Sequence, residues 1–382
     1  MNPVGIGLIG CGIISETYLD NLVRRFQGVR VIGCSDLIDE RAETRAQAYG
    51  IRKMTNDEIF SDPDVEIVVN TTYMSAHEQI VRQALEAGKH VYTEKSLAPG
   101  FMHAKGLAEL ADRKGLRIGC APDTFLGGGY QTCRRLIDDG YIGKPIAVQA
   151  LLARNVWPDG AQGHVRIANE GTMPYDMAGY YTHAMIHLFG PVRRVAGFAH
   201  RYPFEIRNPM NPEYGGRAEV ASTTSLYAAL EFESGVHGTF ILTGESFEET
   251  PRIEVYGSEG TLICPDPNYF GGPVLLKRSG GSGFMEMPIL FDNVTTNKGQ
   301  GSPTQWGDSR RGIGVAEMAW AMRAGRPHRC SKELHLHALE IIYGLEQCTD
   351  FGGVYAMTTR VERPAPLRMG FVGASHEAAI AE

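Results

Sequence analysis

The sequence predicts an α/β protein in two parts: a parallel β-sheet covered by helices, then an α+β part with a large, mainly antiparallel sheet. Up to Cys120, short apolar strands alternate with helical stretches, which is typical of a parallel sheet with helices on both faces. From Ile146 to Cys264, strand-like segments dominate instead. With 382 residues, the chain is also too long for one ordinary core. We therefore expect two domains, residues 1–123 and 124–382.

The first element is a buried strand that leads into a glycine-rich turn. Val4 to Ile9 is apolar, and Gly10-Cys11-Gly12-Ile13-Ile14-Ser15 follows it and opens a helix to about Phe26. In this pattern the first glycine permits a tight turn, and the second lets the backbone approach a pyrophosphate. The phosphate would rest on the helix N-terminus, where free N–H groups favour anions. The expected dinucleotide contacts are Gly10, Gly12, Ile13 and Ile14.

An acidic residue follows the second strand. The strand Val29 to Ser35 ends at Asp36, at the distance along the chain where a carboxylate meets the ribose 2′-hydroxyl of a dinucleotide. A carboxylate at that place repels a 2′-phosphate, so NAD is expected and NADP is disfavoured. The alternative is a structural turn followed by an exposed aspartate.

Further strand–helix units place polar residues at the carboxyl ends of parallel strands. A strand is predicted from Val65 to Asn70, and a helix from Ser75, which has a glutamate at capping-box spacing. Ligands of open α/β sheets bind just outside such strand ends. Thr71, Thr72 and His77 are therefore candidate cofactor contacts, although His77 is equally explained as a structural residue of the first helical turn.

The strand His90 to Tyr92 brings Glu94 and Lys95 to the same edge of the sheet. Both are candidate cofactor contacts. A lysine at the mouth of a nucleotide cleft can also transfer protons if its surroundings lower its pKa. Taken alone, a Glu-Lys dipeptide is more typical of a solvated surface. The assignment depends on the partners that the rest of the chain supplies.

One helix in the second half aligns four polar side chains. Within Pro174 to Phe189, the residues Asp176, Tyr180, His183 and His187 are separated by four, three and four positions, which places them on one narrow helix face. Such a face can line a polar cleft. Two other interpretations remain, a metal-ligating histidine pair and histidines that pack against a core. His187, deepest in the helix, best fits a structural role.

The composition argues against several classes of partner. The net charge is −7 and the basic pairs are scattered, which argues against nucleic acid or an anionic membrane. The seven cysteines include no Cys-x-x-Cys pair, as expected of buried thiols in a reducing compartment and not of a zinc site. No basic and apolar leader opens the chain, and no apolar run is long enough to span a bilayer. These features predict a cytoplasmic protein.

Together these motifs resemble the glucose-fructose oxidoreductase / inositol dehydrogenase / rhizopine catabolism (Gfo/Idh/MocA) family over nearly the whole chain. The resemblance is carried by Gly10-Cys11-Gly12 and by the run from Ala84 to Val91 that leads into Glu94-Lys95. It implies a Rossmann domain, an open-faced sheet domain, and frequent homodimers or homotetramers formed through that sheet. It also implies NAD(P)-dependent oxidation or reduction of sugars, inositols and related polyols.

By position in the family pattern, Lys95 corresponds to the catalytic lysine and Asp176 to the aspartate that helps to hold the substrate. Two departures stand out. The family's Glu-Lys-Pro is Glu94-Lys95-Ser96 here, so the turn that aims the lysine lacks its rigid proline. The usual histidine four residues after the aspartate is Tyr180, and His183 stands where an aspartate is common. Either residue is a candidate for the proton relay.

We therefore expect hydride transfer between nicotinamide and a secondary carbinol carbon, with Lys95 as the proton-transfer group. Partial burial beside cationic NAD⁺ would lower the pKa of this lysine from its ordinary value. Further candidate substrate contacts are Asp123, Arg154, Asn155 and Trp157, the last of which either stacks on a sugar or belongs to the core. Two other functions remain open: an NAD-retaining glycosidase or lyase that works through transient sugar oxidation, and a non-catalytic, cofactor-sensing regulator.

Overall fold

Six parallel strands form the first sheet, in the order β3-β2-β1-β4-β5-β6. The strands β1 and β4 are buried at every position, as expected where helices cover both faces. The strands are β1 (Val4–Ile9), β2 (Val29–Ser35), β3 (Arg52–Lys53), β4 (Ile67–Asn70), β5 (His90–Thr93) and β6 (Ile118–Cys120). The helices between them are α1 (Ile13–Arg24), α2 (Asp39–Tyr49), α3 (Asn56–Ser61), α4 (Met74–Glu86) and α5 (Phe101–Lys114).

The second sheet has nine strands among the described residues, in the order β16-β15-β14-β13-β7-β12-β11-β8-β17. Every neighbouring pair is antiparallel except β7 with β12, which run parallel. The strands are β7 (Pro145–Ala153), β8 (Val192–His200), β11 (Ser225–Phe232), β12 (His237–Thr243), β13 (Arg252–Gly257), β14 (Gly260–Cys264), β15 (Val274–Arg278), β16 (Met285–Met287) and β17 (Val354–Ala356). A separate pair is formed by β9 (Phe204–Glu205) and β10 (Arg217–Ala218).

Helices accompany the second sheet: a short 3-10 helix (Thr124–Leu126), α6 (Gly128–Asp138), α7 (Met173–Phe189), α8 (Ile313–Arg323) and α9 (Lys332–Phe351). The α/β fold with a parallel sheet followed by a mainly antiparallel sheet is thereby confirmed. The computed structural model describes residues 2–154, 173–205, 209–210, 213–218, 223–244, 246, 250–289 and 309–367.

One face of the second sheet is buried and the other is open. Along β11, Leu226, Ala228, Leu230 and Phe232 are buried, as the alternation in the sequence predicts. The opposite face keeps large apolar side chains in contact with solvent, including Phe198, of which 68% is exposed. A sheet with one buried and one exposed face is typical of antiparallel architecture.

The chain returns to the first sheet after completing the second. The indole Nε1 of Trp320 in α8 donates to the carbonyl of Gln27 (3.2 Å), and Arg323 forms an ion pair with Glu66. Just before α9, Ser331 bridges to Gly119 of β6. The start of α9 is therefore anchored at the edge of the first sheet. The division into residues 1–123 and 124–382 stays a prediction.

Some local features differ from those expected. The helix predicted to begin at Ser75 begins at Met74, after Tyr73 and without a side-chain cap, so the proposed capping box is wrong. Between α2 and β4 the chain forms β3 and α3, which the sequence did not predict, and Thr55 and Glu58 form a capping box at the start of α3. All seven cysteines are buried and free, as predicted. In the described parts of the chain, no helix has the length and apolarity needed to cross a bilayer.

Candidate active site

The glycine-rich turn lies between β1 and α1. Gly10 has a φ of +100°, and a Cβ atom there would lie 2.7 Å from the backbone of Thr71 and Thr72. Gly12 is the opposite case, because a Cβ atom there would have no neighbour within 4 Å. It precedes the first turn of α1, where no side chain caps the helix. The free helix N-terminus and the open space beside Gly12 fit a dinucleotide pyrophosphate.

Asp36 lies beside this turn. Its Oδ2 atom accepts from the amide of Cys11 (2.6 Å) and its Oδ1 atom from the amide of Ile38 (2.8 Å). The carboxylate therefore ties the end of β2 to the glycine turn, and its partly exposed position leaves it within the expected reach of a ribose. Nearby apolar side chains are open to solvent: 99% of Leu37 and 65% of Ile13 are exposed.

The predicted cofactor contacts Thr71, Thr72 and His77 follow β4. They connect the glycine-rich turn to the segment that follows Lys95. The hydroxyl of Thr71 donates to the carbonyl of Gly10 (2.6 Å), and the hydroxyl of Thr72 bonds to the side chain of Asn70 (2.7 Å). His77 is buried, with Nε2 at 3.0 Å from the carbonyl of Thr72 and Nδ1 at 2.6 Å from the carbonyl of Ser96. Its ring connects the ends of β4 and β5.

Lys95 reaches across to the second half of the chain. Its Nζ atom forms an ion pair with Asp176 in the first turn of α7, and 24% of the lysine side chain and 18% of the aspartate side chain are exposed. Glu94 stays buried behind it, where its carboxylate accepts from the hydroxyl of Tyr18 (2.7 Å). The paired lysine and carboxylate each keep part of their surface exposed and available to a ligand.

The charge state of Lys95 differs from the expectation. Burial lowers the pKa of this lysine, as predicted, but the negative charges of Asp176 and Glu94 and the neighbouring Tyr180 raise it more, so the net direction is upward. The expected lowering of the pKa is therefore wrong for the protein without bound NAD⁺. The physical reason is the carboxylate partner, which favours the ammonium form.

Tyr180 lies on the same side of α7 as Asp176. Its hydroxyl lies 3.3 Å from the Nη2 atom of Arg311, and the guanidinium is 6.0 Å from the centre of the tyrosine ring. Arg311 is buried and also donates to the Oδ1 atom of Asn268 (2.7 Å). Because an arginine only donates, the tyrosine oxygen accepts from it and can direct its own hydrogen elsewhere.

His183 and His187 form hydrogen bonds with groups other than Lys95. Nδ1 of His183 bonds to the carbonyl of Pro122 (3.0 Å), and burial lowers its pKa to about 4. A neutral ring that donates at Nδ1 has its lone pair at Nε2, and that atom is buried without a partner among the described residues. His187 is fully buried, with Nε2 at 3.2 Å from the side-chain amide of Gln131. No group of described side chains could hold a metal ion.

The remaining predicted substrate contacts are dispersed. Asp123 is buried, and its Oδ2 atom accepts from the amides of Gly312 (2.9 Å) and Gly314 (3.0 Å) at the start of α8. Arg154 follows β7 and lies beside Met177 of α7, 4.0 Å from its sulfur. Asn155 and Trp157 lie outside the described residues.

Sequence reasoning missed several groups that complete the site. Arg311 appeared only as half of a scattered basic pair, and nothing in the local pattern connects it to Tyr180, 131 positions away. His335 contacts the residues after Lys95 from 238 positions away. A detectable signal existed only for His335, which stands two residues before His337 near the predicted start of a helix, and that spacing alone assigns no partner.

Comparison with known proteins agrees with this architecture. Residues 4–121 match the family model described as an oxidoreductase family with an NAD-binding Rossmann fold, and residues 130–263 match the GFO/IDH/MocA C-terminal domain. The chain is 26% identical to scyllo-inositol 2-dehydrogenase (NAD(+)) of Bacillus subtilis over 69% of its own length and 74% of the relative. It is 32% identical to inositol 2-dehydrogenase/D-chiro-inositol 3-dehydrogenase of Lactiplantibacillus plantarum, over 37% of this chain and 41% of that one.

Solved structures share the fold at low sequence identity. Levoglucosan dehydrogenase in complex with NADH and L-sorbose superposes with a TM-score of 0.75 at 17% identity, covering 94% of this chain and 100% of that chain. The aldose-aldose oxidoreductase of Caulobacter crescentus gives a TM-score of 0.73 at 17% identity, covering 93% of this chain and 100% of that chain.

Proposed function

The chain belongs to the GFO/IDH/MocA family of NAD-binding oxidoreductases, and on that basis we propose that it is a dehydrogenase of sugars, glycosides or inositols. The reaction is hydride transfer between nicotinamide and a secondary hydroxyl or keto group. The single observation that carries the proposal is the ion pair between Lys95, which follows β5, and Asp176 in the first turn of α7, both of them partly exposed. NAD is the cofactor, and Gly10, Gly12 and Asp36 are the residues that would hold it.

We propose that Lys95 and Asp176 have separate roles at the substrate. NAD⁺ held by Gly10, Gly12 and Asp36 would supply the acceptor for the hydride of the carbinol carbon. The hydroxyl proton of that carbon must leave at the same time, and Lys95 takes it in its amine form, which the positive charge of bound NAD⁺ would favour against the effect of Asp176 and Glu94. In the reverse direction the ammonium of Lys95 gives a proton to the carbonyl oxygen. Asp176 accepts from a neighbouring substrate hydroxyl, which fits a polyol better than a simple alcohol.

Tyr180 is proposed as the proton relay in preference to His183. Its hydroxyl accepts from Arg311, which leaves its hydrogen for a substrate oxygen or for Lys95. Both side chains are buried, Tyr180 at 4% and His183 at 1% exposure, so burial does not separate them. His183 uses its one ring hydrogen on the carbonyl of Pro122, whereas the hydrogen of the Tyr180 hydroxyl is not used by Arg311.

The test is a panel of inositols, aldoses and glycosides with NAD⁺ and NADP⁺, followed by the absorbance of the reduced cofactor. We expect turnover with NAD⁺. Lys95→Ala should lower kcat by about 100-fold or more while NAD⁺ binding, measured by fluorescence, is retained. Lys105→Ala, which removes an exposed lysine of α5, is the matched control and should leave kcat unchanged.

Each outcome separates the alternatives. Unchanged turnover in Lys95→Ala with NAD⁺ bound would refute the lysine assignment. Product formation with no net release of NADH, by a protein that keeps its NAD, would identify a glycosidase or lyase. Saturable binding without turnover on any substrate would identify a regulator.

The open face of the second sheet is proposed as the interface of a homodimer or homotetramer. Cross-strand pairing puts Phe198, Tyr227, Ile241 and Leu151 side by side in one row across β8, β11, β12 and β7. Opposite residues in neighbouring strands project from the same face. A continuous apolar row on an open sheet is typical of a protein interface. We also propose a cytoplasmic location, which the seven free thiols support.

A further inference from the structure

The backbone that follows Lys95 is held by two buried histidines. His335 has its Nε2 atom 3.1 Å from the amide nitrogen of Leu97 and 3.2 Å from the hydroxyl of Ser96. His77 has its Nδ1 atom 2.6 Å from the carbonyl oxygen of Ser96. Ser96 and Leu97 are 1% and 0% exposed. The two residues after the lysine are thus bound through their backbone and side-chain polar groups, away from solvent.

His335 reaches this place because the start of α9 is anchored to the first sheet. The amide of Cys120 donates to the carbonyl of Cys330 (3.1 Å), and Gly119 bridges to Ser331. Ser331 caps α9 by accepting from the amide of Leu334 (3.4 Å). His335 therefore projects from the first turns of a capped and anchored helix. This helix holds the hydrogen-bond acceptor of His335 in a fixed position.

The protonation of His335 follows from its bonds. The amide of Leu97 can only donate, so Nε2 carries the lone pair and the ring hydrogen is on Nδ1. That Nδ1 atom is buried and has no partner among the described residues. The ring of His183 is nearly perpendicular to the ring of His335, and the two ring centroids are 5.4 Å apart. Burial and the nearby His183 and His77 keep the pKa of His335 well below its usual value. The ring is therefore neutral and serves the loop after Lys95 as an acceptor.

We propose that His335 is a positioning residue for Lys95, which it aims into the cleft by fixing the backbone of Ser96 and Leu97. This inference rests on the proposed function in that Lys95 is the proton-transfer group. A lysine has a long side chain, so a small rotation of its own backbone moves Nζ by a large distance. Misplacement of a reacting group by about 1 Å costs about 100-fold in rate.

The same helix offers a matched control. His337 is also fully buried. Its Nε2 atom accepts from the backbone amide of Val192 (2.9 Å), which is not part of the segment that follows Lys95. His335→Ala and His337→Ala each remove a buried ring and one acceptor of a backbone amide, so we expect both to lower the unfolding temperature. Only His335→Ala should lower kcat, by about 10- to 100-fold, with KM for NAD⁺ unchanged. His335→Gln, which restores an acceptor near the place of Nε2, should recover much of kcat.

Two measurements test the inference without relying on turnover. Hydrogen exchange at the Leu97 amide should become at least tenfold faster in His335→Ala than in wild type and stay slow in His337→Ala, where exchange at Val192 rises instead. Reductive methylation of Lys95, followed by mass spectrometry, should be faster in His335→Ala than in His337→Ala.

These results separate the inference from the proposed function. A wild-type protein without turnover on any polyol would overturn the proposed function, while exchange at Leu97 and labelling of Lys95 would still decide the role of His335. Equal values of kcat for the two alanine variants would overturn the inference. So would slow exchange at Leu97, or unchanged labelling of Lys95, in His335→Ala.

Discussion

Replacement of Asp123 by asparagine should make the protein more stable at neutral pH. The side chain is 1% exposed, and its Oδ2 atom accepts from the amides of Gly312 and Gly314 at the start of α8. Burial raises the pKa of Asp123 from 3.8 to about 6, against the opposing effects of those amides and of Arg311. An asparagine carbonyl has two lone pairs and can accept the same two bonds without a charge.

The magnitude and the sign follow from the pKa. A rise from 3.8 to about 6 is about two units, or about 3 kcal/mol of unfolding free energy at about 1.4 kcal/mol per unit. The folded state binds the proton more tightly than the unfolded state does. The contribution of this proton to the free energy of unfolding is therefore complete below pH 4. It is lost as the pH rises from about 4 through 6. Asp123→Asn removes that loss, so its advantage over the wild type should grow from about zero at pH 4 to about 3 kcal/mol above pH 7.

Urea titrations from pH 4.5 to 7.5 test this, with unfolding followed by circular dichroism. Buried histidines such as His337, whose pKa burial lowers to about 4, destabilise both proteins on acidification. The quantity to compare is therefore the difference between variant and wild type at each pH. A difference that does not change with pH would refute the reasoning. Loss of turnover in a stable Asp123→Asn would instead favour the substrate-binding role that the sequence predicts.

Two further predictions use matched variants. Gly10→Ala should destabilise the protein by about 1–3 kcal/mol or more, because its φ of +100° and backbone contacts at 2.7 Å exclude a side chain. Gly12→Ala should leave the unfolding temperature unchanged. It should weaken NAD⁺ binding, measured by titration calorimetry, by about tenfold or more. Equal effects of the two on stability would contradict this account. Phe198→Glu should shift the molar mass measured by light scattering towards that of the monomer. Met102→Glu, which changes an exposed residue of α5, should not. A monomeric wild type would refute the sheet interface.

The first sheet was largely predictable from local patterns. Apolar strands of three to seven residues alternate with helices, and the carboxyl ends of parallel strands meet at one edge, so Gly10, Asp36 and Lys95 were expected there together. The spacing of Asp176 and Tyr180 likewise predicted a shared helix face. The capping box at Ser75 failed, because the helix begins one residue earlier and needs no such cap.

The sequence by itself determined the strand–helix alternation of the first sheet and the glycine-rich turn, and it predicted the role of Lys95, since each depends on residues close together in the chain. Only the tertiary structure decided which partners surround them. The ion pair of Lys95 with Asp176 joins residues 81 positions apart, and it reversed the expected direction of the lysine pKa. Arg311 beside Tyr180 and His335 beside Leu97 depend on the return of the chain to the first sheet. Such contacts depend on how whole elements pack, and no short-range periodicity records that packing.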